Sequence, residues 1–354
     1  MAHNTINLHT AKKYVALCLE SGLVPFLRSS PGIGKSSIVK EIADTYNLEL
    51  IDLRLSQCDP TDLQGLPKFE NDKAKFIPFD TFPLEGAPLP EGKNGVLLFL
   101  DEFNSASRAV SAAAYKLVLD RKVGNFNLSP DVYIVCAGNL DTDKAITNPM
   151  STALTSRLVN LFIDVDTDDW VKHYAIPNGL DKRIIAYLSM KPSSLMTFDP
   201  NIKQDAYASP RTWEFLSKLL ANIPSLSDSY TPLIAGIVGE ASALDFLTFS
   251  KHFESLPDFK QILQNPTSTP VPDETPVKWA VTTCLVDNLL QVHQHQSYAE
   301  VRKHYTAYAT YMERFDITFR IMFFRMVLSQ LPELIQEKAT HNVAQELKEY
   351  VLGD

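Results

Sequence analysis

Ser29–Ser37 reads SSPGIGKSS, and its last half has the residue types that a phosphate-binding loop requires. In the pattern G-x-x-x-x-G-K-[ST], backbone amides cradle anionic oxygens. The lysine meets the β/γ-phosphates, and the hydroxyl ligates Mg²⁺. Gly34, Lys35 and Ser36 fill the last three positions, and Ser29 stands where the first glycine belongs. Ser30, Pro31, Gly32, Ile33 and Ser37 complete the candidate cradle. A flexible glycine turn ahead of a helix is the competing reading.

About 65 residues downstream, LLFLDE (Leu97–Glu102) ends a continuous apolar run with two acids. Asp101 is suited to hold Mg²⁺ through water, and Glu102 to polarise an attacking water as general base. Two solvated acids at a strand end would look the same. Asn139, closing DVYIVCAGN, could orient the same water, or could be an asparagine in a turn before Asp141.

These residues need a scaffold that brings them to one edge. Leu8–Glu20 has helical apolar spacing and a stop at Ser21-Gly22. Val24–Arg28 reads as a short buried strand, and Ser36–Asn47 as a helix with Ile38, Val39, Ile42 and Ala43 on one side. Strand, loop and helix is the context a P-loop needs. Further strands are expected at Leu48–Leu55, Gly95–Glu102, Asp131–Asn139 and Leu158–Val165, with an alanine-rich helix at Ser107–Lys122. The apolar run of Gly95–Glu102 suits a strand buried on both faces of a parallel sheet. The alternation predicts a doubly wound α/β fold with its site at the carboxyl ends of the strands. Beyond Val165 the pattern turns helical, interrupted by an exposed connection at Gln264–Pro276.

Length and charge narrow the classes. The 354 residues, 45% hydrophobic, suffice for two or three globular domains. Cys18, Cys58, Cys136 and Cys284 lie far apart, which argues against a disulfide framework or a zinc site and for a reducing compartment. His293 and His295 have no accompanying ligands and read as a solvated helix face. The start has no signal-like segment and no apolar run reaches membrane-spanning length, so a cytoplasmic protein without membrane insertion is expected. A net charge of -9 disfavours non-specific nucleic-acid binding, although a local basic lining is compatible with it.

Taken together, the motifs resemble those of an AAA+ ATPase, and of its MoxR-like branch in particular. PGIGKS resembles the Walker A motif, LLFLDE Walker B, and CAGN with Asn139 sensor 1. LTSRL puts Arg157 where the family carries an arginine finger directed at the neighbouring subunit's γ-phosphate, although an arginine there could equally pair with a surface carboxylate. SPR (Ser209–Arg211) resembles sensor 2, which makes Arg211 the lid arginine. Gln57–Pro83, with Asp62-Leu63-Gln64-Gly65 at its opening, resembles the MoxR-like insertion in helix 2, which in the family faces the pore or the client; an ordinary surface loop is the alternative.

The resemblance implies a large P-loop NTPase domain over residues 1–165 with an insertion at about 57–90, a small helical lid over 166–225, and an additional helical C-terminal region over 226–354. It also implies ATP and Mg²⁺ as cofactors, a ring, hexameric by analogy, and a protein client, in this family often one bearing a von Willebrand factor A domain. A nucleic-acid motor, a nucleotide-gated scaffold without turnover, and a metal-chelatase motor subunit remain open as alternatives.

Overall fold

The computed structural model describes residues 4–70, 73–143, 150, 152–223, 225–254 and 256–340. It divides into two compact units, one comprising residues 1–166 with 199–202 and the other residues 167–198 with 203–354.

The first unit is built on strands β1 (Thr5–Ile6), β2 (Val24–Arg28), β3 (Leu48–Arg54), β6 (Gly95–Asp101), β9 (Val132–Gly138) and β10 (Leu158–Ile163). They form one six-stranded sheet in the order β1-β10-β2-β9-β6-β3, every pairing parallel. Two hairpins, β4 (Leu66–Glu70) with β5 (Lys73–Ile77) and β7 (Lys122–Val123) with β8 (Phe126–Asn127), lie outside it. Six of the seven residues of β6 are buried, which agrees with its lack of apolar/polar alternation. The two-residue β1 has no sequence signal of its own and exists by pairing with β10.

The helices follow from apolar spacing and capping. Helix α1 (Leu8–Glu20) buries Ala11, Val15, Cys18 and Leu19, and the Asn7 side chain accepts from Thr10 N at 2.9 Å. Helix α2 (Lys35–Thr45) buries Ile38, Val39, Ile42 and Ala43. After the short α3 (Pro60–Gln64), helix α4 (Arg108–Asp120) lays Val110, Ala113, Ala114, Leu117 and Val118 on Leu98, Leu100, Ile134 and Cys136. Alanines allow that helix to lie close to the sheet. The four-residue α5 (Thr152–Thr155) leads into β10. This is the parallel α/β sheet with flanking helices that the alternation of strands and helices predicts.

The insertion between β3 and β6 is fastened at both ends. Leu63 and Phe82 are buried in the core shared with α4 and β6, and Leu84 bridges Leu128. Its β4–β5 hairpin stands out from this base with Leu66, Phe69, Phe76 and Ile77 exposed, Phe69 at 79%. Residues 71 and 72, between the two strands, lie outside the described residues.

The second unit carries α6 (Thr167–Trp170), α7 (Lys182–Met190), α8 (Pro210–Leu220), α9 (Thr231–Val238), α10 (Glu240–Ser250), α11 (Phe259–Gln264), α12 (Thr275–His295), α13 (Tyr298–Met312) and α14 (Ile317–Gln330). Residues on both sides of position 225 belong to this one unit, where Lys182 of α7 pairs with Asp287 of α12 at 2.6 Å. Tyr187, Trp213 and Phe246 form a three-ring cluster joining α7, α8 and α10, with centroids 5.6–5.7 Å apart. The aromatic stretch of α13 and α14 is a buried helix pair, Tyr305 stacking on Phe323. The connection after Gln264 is mostly exposed, but Thr269 is buried and its carbonyl accepts from Arg314 Nη1 at 2.5 Å.

Gly65 shows how tightly the hairpin is held. Its φ is +88°, and a Cβ there would lie 2.2 Å from the carbonyl oxygen of Ile77. Gly22 also has a left-handed φ, +69°, but nothing within 4 Å of a Cβ. Gly22→Ala should therefore cost only the backbone strain, about 1 kcal/mol. Gly65→Ala should cost more, as β5 must move. Thermal melts of the two variants check this; equal losses would mean that β5 is not held against Gly65.

Candidate nucleotide site

The carboxyl ends of β2, β9 and β6 are level with one another. Arg28 pairs with Gly138, and Leu100 with Cys136, so the residues that follow these strands emerge side by side. The topology thereby gathers the Ser29–Ser36 loop, Asn139, Asp101 and Glu102 at one edge.

Ser29 needs no glycine. It is fully buried, its N–H donates to Gly138 O at 3.3 Å as a last rung of the β2–β9 ladder, and its φ is not left-handed. The left-handed positions of the loop are Gly32 and Gly34, with φ of +81° and +118°. Both are glycines, so the substitution sits where the backbone accepts any small residue. Ser29 also contributes a contact that glycine could not: Lys35 Nζ donates to Ser29 Oγ at 3.0 Å, as well as to Ser29 O at 3.0 Å, Ser30 O at 3.3 Å and Asn139 Oδ1 at 3.4 Å.

Gly34 is the N-cap of α2, so the first free amides of the helix face the loop beside Lys35, a disposition that favours an anion. Ser36 Oγ, in the first turn, lies 3.5 Å from Asp101 Oδ2. A hydroxyl and a carboxylate oxygen at that separation are hard donors of the kind Mg²⁺ takes while keeping most of its waters. Among the described residues no group of three or more His, Cys, Asp or Glu could hold a metal by itself.

Asp101 Oδ1 accepts from the N–H of Glu102 at 2.8 Å, and Glu102 has a left-handed φ of +54°. Such a conformation is uncommon for a residue with a side chain and stores local backbone strain. The carboxylate of Glu102 accepts a hydrogen bond from Ser56, just beyond β3. That bond ties up a lone pair that a general base needs.

Arg157 directly precedes β10, whose Leu158 pairs with Val24 and Phe162 with Arg28. It is therefore at the amino edge of the sheet, a strand length of about 16 Å from the edge that bears the P-loop. Arg211 is exposed in the first turn of α8, in the second unit, behind a capping box of Ser209 and Thr212. Arg121 is structural: Nη2 donates to Ser129 O at 3.0 Å and Val132 O at 2.6 Å.

Several residues at the site escaped the sequence reading. Asn104 brackets Asn139, and Ser56 holds Glu102. Arg28 Nη2 donates to Asp141 Oδ2 at 2.8 Å, and Ser30 Oγ to Asp143 Oδ1 at 3.1 Å, so the segment after Asn139 clasps the loop twice. Their only signal was position, within a few residues of a strand's carboxyl end.

No family model matches the chain, and no curated protein matches it. Among solved structures it is similar to a "putative ATPase" from Cytophaga hutchinsonii, at 14% identity over 97% of this chain and 89% of that one, TM-score 0.34. It is also similar to the RuvB Holliday junction branch migration motor of Thermotoga maritima, at 16% identity over 87% and 88%, TM-score 0.36. No helix among the described residues is long and apolar enough to cross a membrane.

Asp143 supplies a prediction. It is 8% exposed, its Oδ2 has no hydrogen-bond partner, and burial pushes its pKa up, partly offset by the bond from Ser30. A carboxyl whose folded pKa is raised opposes folding once ionised, so its stability contribution is lost as pH rises through that pKa. Asp143→Asn keeps an acceptor for Ser30 and removes the charge. The variant should melt higher than the parent at pH 7, and the gap should shrink as pH falls towards the ordinary carboxylate range. A gap independent of pH would exclude ionisation of Asp143 as its cause.

Proposed function

We propose that this chain is a Mg²⁺-dependent ATP hydrolase of the MoxR-like AAA+ kind, which works as a ring and remodels a protein partner. The observation that carries the reading is the meeting of Lys35, Ser36, Asp101, Glu102 and Asn139 at the carboxyl ends of adjacent parallel strands. Each supplies a different requirement of phosphoryl transfer, which is mostly positioning and charge stabilisation.

In this reading the amides of Ser30–Ser37 cradle the phosphates and Lys35 moves from its loop acceptors onto the β/γ-phosphates. Ser36, and Asp101 through water, would hold Mg²⁺, which would supply charge neutralisation on the phosphate oxygens. Glu102 takes the proton of the attacking water, and Asn139 orients that water. Arg157, a strand length from its own loop, serves a neighbouring copy, and Arg211 acts from the lid on its own subunit's nucleotide. Hydrolysis then depends on ring assembly, hexameric by family analogy. The exposed Leu66, Phe69, Phe76 and Ile77 of the β4–β5 hairpin favour a protein client over nucleic acid, as apolar side chains contribute most at protein contacts. A von Willebrand factor A domain protein is the partner class the family suggests.

Lys35→Ala should abolish binding of a fluorescent ATP analogue. Glu102→Gln and Arg157→Ala should bind it normally and lose turnover, Arg157→Ala by about 10³-fold or more if it acts in trans. Phosphate release and particle mass, each with ATP and Mg²⁺, check these outcomes. Normal turnover by Arg157→Ala would sink the trans finger, and a persistent active monomer the ring.

Ser56 tests the poise of Glu102. Ser56→Ala should raise basal turnover several-fold without changing nucleotide affinity, because an exposed hydrogen bond worth about 0.5–1.5 kcal/mol here opposes the base. Lower turnover would instead make Ser56 a support for Glu102.

A further inference from the structure

Strand β9 ends at Gly138, so the sheet ladder that satisfies its backbone ends there too. The next peptide group, on Asn139, belongs to the residue whose side chain faces Lys35. Asn104 takes over the missing ladder. Its Nδ2 donates to Asn139 O at 2.8 Å, and its Oδ1 accepts from Asn139 N at 3.2 Å. A primary amide has the donor and acceptor needed to act as a surrogate strand for one residue. Asn104 is 3% exposed, so neither bond competes with bulk water.

Gly138 makes the approach possible. A Cβ on it would lie 2.2 Å from Asn104 Oδ1 and 3.1 Å from Phe26 Cε2. The absent side chain is therefore the space that the Asn104 amide occupies. Asn104 is in the short turn Phe103–Ser105 that follows Glu102, so it joins the turn carrying one acid of the site to the residue after β9.

We infer that Asn104 is a positioning residue that sets Asn139 relative to Glu102 through a bidentate grip on the Asn139 main chain, with Gly138 left bare to admit it. The assignment rests on the hydrolytic reading above. Turnover needs both Glu102 and Asn139 at one water, whereas nucleotide binding relies on the loop and Lys35. Losing the grip should therefore lower kcat and spare affinity.

The test compares the full-length protein with Asn104→Ala, Asn139→Ala, the double variant of these two, and Asn104→Asp, which retains only the acceptor half of the grip. Thermal melts, binding of a fluorescent ATP analogue and phosphate release with Mg²⁺ are read for each. Asn104→Ala should lose about 10²-fold in kcat, the scale of a misplacement near 1 Å, with analogue affinity within about threefold. The double variant should be no slower than Asn139→Ala alone, since Asn104 acts through Asn139. Asn104→Asp, which sets a carboxylate oxygen against Asn139 O in a buried place, should be no faster than Asn104→Ala.

Gly138→Ala adds an independent check. Alone it should lower the melting temperature sharply, and combined with Asn104→Ala it should recover much of that loss, because the clash is with the Asn104 amide, while turnover stays low. Normal turnover in Asn104→Ala, additive losses in the double variant, or affinity falling in step with kcat would each overturn the assignment while leaving the hydrolytic reading standing. A parent that binds the analogue but turns over no ATP would overturn both.

Discussion

The level alignment of β2, β9 and β6 is the constraint on which the rest depends. Because the three are parallel and paired residue for residue, the chain leaves all of them at one edge, and whatever follows each strand is forced into company. Ser29 continues β2, Asn139 continues β9, and Glu102 follows the last residue of β6. None of these needs to find the others in folding beyond what the sheet already imposes. Burial of nearly every side chain of β6 and β9 makes the register costly to shift, since a slip would move side chains of fixed size out of the close-packed places they fill.

At that edge, main-chain groups pass from ladder partners to side-chain partners. Ser29 still finds Gly138, but Asn139 has no strand beside it and is served by Asn104. Glu102 lies in left-handed backbone with its N–H on Asp101, and its carboxylate is held by Ser56. Buried backbone groups seldom remain unpaired, so a site located where a sheet ends must recruit polar side chains from the next turns. The same groups then become levers on the side chains proposed to do the chemistry. In this site, satisfying the backbone and aiming the chemistry fall to the same residues.

Much of the first unit was legible in the sequence. Val24–Arg28 and Leu8–Glu20 were bounded as found, and the remaining sheet strands within a residue or two, because a buried parallel strand and an amphipathic helix leave strong local patterns. β1 was not legible: two residues carry no period, and pairing with β10 alone defines them. The P-loop residues and the acids were visible as motifs. Asn104, Ser56 and Gly138 were not, for a common reason. Their partners are 35, 46 and 34 positions away in the chain, and only the sheet order says that these segments meet. The structural role of Arg121 was not legible either, because its clamp on Ser129 and Val132 depends on a turn with no distinctive sequence.

The serine at position 29 illustrates how a motif and its physics separate. A pattern treats every glycine as equal, yet the backbone requires a left-handed conformation only at Gly32 and Gly34. Position 29 has no left-handed φ and is packed shut, so it needs smallness and not conformational freedom. Serine meets that need and adds an oxygen where the Lys35 ammonium rests. An ammonium has three protons, and four acceptors of the loop and of Asn139 lie within 3.4 Å of it. In the proposed reading, a phosphate oxygen arriving there would compete with neutral acceptors of modest individual strength, so the lysine would be handed over in steps without being left uncompensated in a partly buried site. What the substitution alters is the strength of that resting place, and the geometry of the loop is untouched.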